Sequence, residues 1–387
     1  MNTQKFTRLF LNITILLGLI SCGGGGSKQT LSETELGKKL FFDVNLSLNR
    51  TQSCATCHDP DHAFIDSRDN IVQKAVSLGD DNVSLGDRNT PTAAYAKFVP
   101  DFHIANGEYI GGQFLDGREK DLKGQAGQPP LNPVEMGMPD KASIVARLQE
   151  NNEYISTFKS LYGDSIFNNI ESAYLAMSKS IAKFEKTDLF SPFDSKYDRY
   201  LRGEYTMTSQ ESMGRRLFFS GAETNCSLCH QLNLKDDNSK QETFANYEYH
   251  NLGIPANDAV RIANGKGATF IDHGLLDNPS INDARQDGKF KVTTLRNIAV
   301  TGPYMHNGVF QDLRTVILFY DTYNNPARIH NPETGLPWKA PEVNANIALE
   351  MDKYKFSAHK MTDEKVDALV AFLTLLTDKR HEHHIKP

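Results

Sequence analysis

Residues 53–60 read SCATCHDP, and residues 225–232 read NCSLCHQL. Cys-x-x-Cys-His therefore occurs twice, as Cys54, Cys57, His58 and as Cys226, Cys229, His230. GKKLFF, starting at Gly37, precedes the first copy, and GRRLFF, starting at Gly214, precedes the second. A helix-like stretch followed by the same motif, written twice, is an internal repeat that must be read before anything else. Two thiols about one helical turn apart reach both vinyl groups of a porphyrin, and the adjacent imidazole then lies under the iron. The rival is a four-cysteine zinc site from Cys54, Cys57, Cys226 and Cys229. It leaves both histidines and both Leu-Phe-Phe helices without a role and asks two repeat units to share one ion. Two covalently bound c-type haems account for all of these residues.

The flanks fit cytochrome c domains. Leu36, Leu40 and Phe41 recur at helical spacing ahead of the first motif. Near the other end, Val366, Leu369, Val370, Leu373 and Leu376 share a face, with Thr362 as a candidate N-cap. Little of the chain alternates as a strand would. The expected class is mainly α, with two cytochrome c-like domains over 32–190 and 191–380, each holding one haem. The boundary is expected in the Pro-, Asp- and Gly-rich stretch 187–204.

The chain has 387 residues, 39% hydrophobic and 10% aromatic, enough for two cores and too long for a small disulfide scaffold. A net charge of -6 gives no basic face for nucleic acid. Lys5 and Arg8 precede an apolar run too short for a stable bilayer span, so residues 1–22 read as an export signal. LISC at 19–22 resembles a lipobox, with Cys22 as the lipidated residue and the Gly-rich 23–31 as a tether; a plain cleaved signal is the alternative. Lipidation would leave none of the five cysteines unassigned. The expected location is the periplasm or cell envelope, with contact to a membrane through the anchor only.

Four segments, DRNTPT (87–92), FLDGREKDLKGQAGQPPLNPVEMG (114–137), SPFDSKYDRYLRGE (191–204) and TLRNIAVTGPYMHNGVF (294–310), resemble the bacterial dihaem cytochrome c peroxidase family, including its MauG-like branch. The resemblance implies that peroxide reacts at the N-terminal haem, that the C-terminal haem relays or stores electrons, and that one calcium ion lies between them. His58 and His230 match the proximal ligands. Gln125 and Glu135 match the distal Gln and catalytic Glu, and Pro129 matches a pocket-lining proline. Asn89, Thr301 and Pro303 match calcium ligands, oxygen donors suited to that ion. A carboxylate such as Glu135 over an open iron can move a proton from the near peroxide oxygen to the leaving one.

Three departures bear on the activity. Leu115 stands where most members have a Trp between the haems, and the single Trp is Trp338; Phe114 or Tyr109 would have to shorten the route. Between His58 and Asn89 the only histidine is His62, ill placed to close the distal face, with His103 in reserve. Tyr320 matches the sixth ligand of the C-terminal haem, Met in most members and Tyr in the MauG-like branch, with Met305 a competitor by type. The expected function is reduction of hydrogen peroxide to water, with electrons from a small redox protein of cytochrome c or cupredoxin type. The alternatives are MauG-like oxidation of a protein or organic substrate and a non-catalytic electron carrier, which would have no use for Glu135 and Gln125.

Overall fold

The computed structural model describes residues 30–232, 241–348, 350 and 359–386. Cys22 and the leader lie outside them. The described residues are mainly helical, joined by long loops, with two short antiparallel pairs, His103–Ala105 with Glu108–Ile110 and Tyr249–His250 with Phe290–Lys291.

The repeat is legible in three dimensions. Helix Glu33–Phe41 crosses helix Ile170–Glu185, and helix Ser209–Phe218 crosses helix Asp363–Thr374. Both leading helices open with a capping box, Ser32 with Glu35 and Thr208 with Glu211, which satisfies amide groups that would otherwise be orphaned. Each crossing is closest at the glycine of the repeat. A Cβ on Gly37 would lie 1.9 Å from the Ser180 carbonyl oxygen, and one on Gly214 would lie 1.8 Å from that of Ala368. Only glycine lets the backbones approach so closely.

Around each crossing the Phe pair of the repeat builds an aromatic core. Phe41 packs edge-on against Phe184 and Phe190 at 5.5 and 5.6 Å, and Phe218 packs on Phe372 at 5.1 Å. Such pairs add to the burial energy of the rings themselves. One core runs from Leu36 to Phe190 and the other from Tyr197 to Leu376. Thr362 caps the last long helix through the Lys365 amide, and Val366, Leu369 and Leu373 are buried on it. Phe372, outside the stripe read from the sequence, is fully buried there as well.

The stretch 187–204 is more ordered than its composition suggests. It contains helix Lys196–Leu201, capped by Ser195, and the buried Asp198 pairs with Arg296 Nη1 at 2.6 Å.

Candidate active site

Each Cys-x-x-Cys-His motif is a single helical turn ending on its histidine. The His58 amide donates to the Cys54 carbonyl at 2.9 Å, and the His230 amide to that of Cys226 at 3.0 Å. The four cysteines Cys54, Cys57, Cys226 and Cys229 carry no disulfide.

Both imidazoles are held the same way. His58 Nδ1 lies 3.1 Å from the Phe64 carbonyl oxygen, and His230 Nδ1 lies 2.9 Å from that of Phe244. A carbonyl only accepts, so Nδ1 carries the proton and Nε2 is left with its lone pair for a metal. Phe64 and Phe244 sit at φ 57° and 56°, a left-handed conformation rare for a bulky residue. Burial lowers His58 and takes His230 down to about 4, which keeps both rings neutral. Thiols one turn apart with a neutral, oriented imidazole form a donor set that fits a covalently held haem in each half.

Gln125, Pro129 and Glu135 come together in the N-terminal half through loop closure. The Gln128 amide bonds the Gln125 carbonyl at 2.9 Å, and the Met136 amide bonds that of Pro129 at 3.3 Å. Asn132 Nδ2 donates to Glu135 Oε1 at 2.7 Å. Burial pushes the Glu135 carboxyl up, against the pull of Arg118 and the Asn132 bond. Its charge also acts on Cys54 and Cys57, so the carboxyl lies within electrostatic reach of both thiols. Glu135 is thus a raised-pKa acid beside a haem-shaped donor set, a pattern suited to general acid–base work.

A cavity of about 370 Å³ is walled by residues of both halves, from Ile65 to Leu115 and from Phe218 onward. Cys226, Cys229 and His230 line it, as do Tyr320 and Met305. Burial pushes the Tyr320 hydroxyl well above its ordinary value, and the Cys229 and Cys226 thiols add to that shift. Asn89, Thr301 and Pro303 line the same cavity. Asn89 Nδ2 donates to the Ala75 carbonyl at 3.0 Å, which would leave Oδ1 as the atom able to meet a cation. These neutral oxygens fit calcium in kind.

Leu115 is nearly buried and lines that cavity beside Phe114, whose ring lies 3.6 Å beneath the Arg118 guanidinium. Tyr109 instead stacks on Phe102 at 5.8 Å, on the hairpin. His62 belongs to the proximal loop: its Nδ1 bonds Asp59 at 2.7 Å and its ring packs on His384 at 4.6 Å. His103 bonds the Asp101 carbonyl at 2.7 Å and is exposed.

Sequence reading missed Glu185. It is 5% exposed, with Oε2 lacking a hydrogen-bond partner, and burial pushes it up to about 8. It is the strongest charge acting on Cys54. Aligning the repeat through its helix partners would have exposed it. Phe184 meets Gly37 as Phe372 meets Gly214, so Glu185 takes the place of Leu373.

The family model for di-haem cytochrome c peroxidase matches residues 32–206. The methylamine utilization protein MauG of Paracoccus denitrificans is 53% identical over 350 residues, covering 90% of this chain and 89% of that protein. The chain belongs to the dihaem cytochrome c peroxidase family. It is an oxidoreductase by that membership. The cytochrome c551 peroxidase of Pseudomonas aeruginosa is 30% identical, covering 75% of this chain and 72% of that protein. Among solved structures, the dihaem peroxidase BthA of Burkholderia thailandensis superposes with a TM-score of 0.79 at 30% identity, covering 90% of this chain and 87% of that one. No helix among the described residues is long and apolar enough to cross a membrane.

Proposed function

We propose that this chain is a MauG-like dihaem enzyme that spends the oxidising power of hydrogen peroxide on a protein or organic substrate. The observation that carries this reading is Tyr320 lining the same cavity as the Cys226 and Cys229 thiols, which act on its hydroxyl electrostatically. A phenolate ligand favours oxidised iron and suits a site that stores an oxidising equivalent. The 53% identity to MauG moves the weight from plain peroxide reduction, the leading expectation from sequence, to substrate oxidation.

Cys54, Cys57 and His58, and Cys226, Cys229 and His230, would each hold a haem, which would supply the redox-active iron. Glu135 accepts the proton of the near peroxide oxygen and returns it to the departing one, which leaves as water. Asn132 holds the Glu135 carboxyl for both transfers, while Gln125 orients the peroxide and Pro129 walls the pocket. In balance, H2O2 takes two electrons and two protons to give two waters, and the substrate supplies both electrons. Asn89, Thr301 and Pro303 would hold calcium. Residues 32–190 and 191–380 form the two haem domains in this reading, and Cys22 anchors the exported chain to a bacterial membrane.

The second reading, reduction of peroxide at the expense of a cytochrome or cupredoxin, is favoured by the relatives named as cytochrome c peroxidases. Turnover separates them. Holoprotein should consume peroxide slowly with cytochrome c or a cupredoxin and faster with an oxidisable organic or protein substrate, and Glu135→Gln should abolish both. Rapid turnover with the redox proteins alone would hand the assignment to the second reading.

A further inference from the structure

The two proximal histidines share a second layer of support that the sequence repeat does not encode. In the C-terminal half, Arg296 lies 5.4 Å over the ring of Phe244, the residue whose carbonyl holds His230. Its Nε donates to the Glu242 carbonyl at 2.6 Å, in the same loop. In the N-terminal half, Arg380 lies 5.4 Å over the ring of Phe64, the residue whose carbonyl holds His58. Its guanidinium donates to the Pro60 carbonyl of that loop. The arrangement is the same, yet Arg380 comes from the far end of the chain.

The tail is tied in place on both sides of Arg380. Asp378 accepts from Tyr95 Oη at 2.5 Å and from Asn297 Nδ2 at 2.9 Å. Beyond it, Glu382 pairs with Arg199, and His384 Nε2 lies 2.8 Å from the Asp61 carbonyl oxygen, with its ring on His62. The two arginines differ in charge balance. Asp198 neutralises Arg296 through two contacts, at 2.6 and 3.0 Å. No carboxylate among the described residues pairs with Arg380, whose partners are the Pro60 and Leu189 carbonyls.

We propose that Arg380 is a positioning residue that sets the N-terminal haem from the proximal side, fixing the loop that orients His58 and adding a positive charge the other half cancels. The inference rests on the haem reading above, in which His58 is the proximal ligand. A cation over the Phe64 ring, in the loop whose carbonyl holds the His58 Nδ1 proton, adds uncompensated positive charge near that ligand, which disfavours the more highly charged, oxidised metal. It therefore favours the reduced state of that haem.

The test is a spectroelectrochemical titration of the holoprotein, with the C-terminal wave assigned by its movement in Tyr320→Met. Arg380→Gln keeps a donor for Pro60 and removes the charge. It should shift the N-terminal wave to lower potential and leave the C-terminal wave in place, and Arg380→Lys should restore it. Should Arg380→Gln lose its haem, His384→Ala takes over, and a smaller fall in the same wave is expected. An unmoved N-terminal wave, or equal shifts in both, overturns the proposal. One haem wave in the unmodified protein would instead break the two-haem reading, and this inference with it.

Discussion

The two halves share a scaffold and differ in what surrounds the haem-binding residues. Gly37 and Gly214, Phe41 and Phe218, and Phe64 and Phe244 do the same work in each half. Away from that frame the N-terminal half carries carboxylates, Glu135 and Glu185, beside its thiols. The C-terminal half has Tyr320 and Met305 facing its thiols, and Leu373 where Glu185 would be. One fold unit can thus present different groups to its motif because those groups come from loops and later helices, which change without disturbing the crossing. Buried carboxyls thus lie near the thiols of one half and a phenol near those of the other.

The largest effect should come from breaking that division at Glu135. Glu135→Gln keeps the Asn132 contact and removes the base, so single-turnover reaction with peroxide should slow by about 10²–10⁴-fold, the usual worth of a general acid–base group. Because burial raises the Glu135 pKa, the wild-type rate should fall on acidification through a value above 4.5. That limb should vanish in the Gln variant. Stopped-flow rates across pH test both points.

Next come the shared elements, where the halves should respond alike. Gly37→Ala and Gly214→Ala each drive a methyl into a backbone carbonyl. Each should cost about 1–3 kcal/mol or more, the range for overpacking a tight contact. Chemical denaturation of the two holoprotein variants measures it. Unequal losses would mean that one crossing is not the frame of its half.

The phenol gives a smaller, local effect. Tyr320→Met should raise the potential of the C-terminal haem and leave the N-terminal haem's spectrum alone. An unchanged C-terminal spectrum would transfer the ligand role to Met305, which lines the same cavity.

How much of this was legible beforehand follows the same divide. Cys-x-x-Cys-His is a local signal, because thiols and imidazole act within one turn, and the Leu-Phe-Phe helices carry their periodicity in sequence. Glu135, Gln125 and Tyr320 were reached through resemblance, since nothing near Glu135 in the chain marks it as buried beside Cys54. Arg380 was beyond reach: it meets Pro60 across 320 positions. Within the boundary stretch, composition registers Pro and Gly but not the Arg296 that pairs with the buried Asp198.

Glu185 supplies the sharpest prediction, since its counterpart is a leucine. Its folded pKa of about 8 stands above the ordinary 4.5, so the folded protein keeps this proton where the unfolded chain has lost it. The folded state then binds more protons between those values, and stability falls as pH rises through that window, with the loss complete above about 8. Glu185→Leu writes the C-terminal solution into the N-terminal half and removes both the titration and the unpartnered Oε2. The variant should match or exceed wild type at pH near 5 and gain on it steadily toward pH 9, by an amount on the order of a few kcal/mol set by the gap between the folded and unfolded pKa values. Denaturation midpoints of both holoproteins across that range measure the difference. Parallel curves would mean that Glu185 is already ionised in the folded protein, and that the N-terminal half holds a charge beside Cys54 where the C-terminal half holds none.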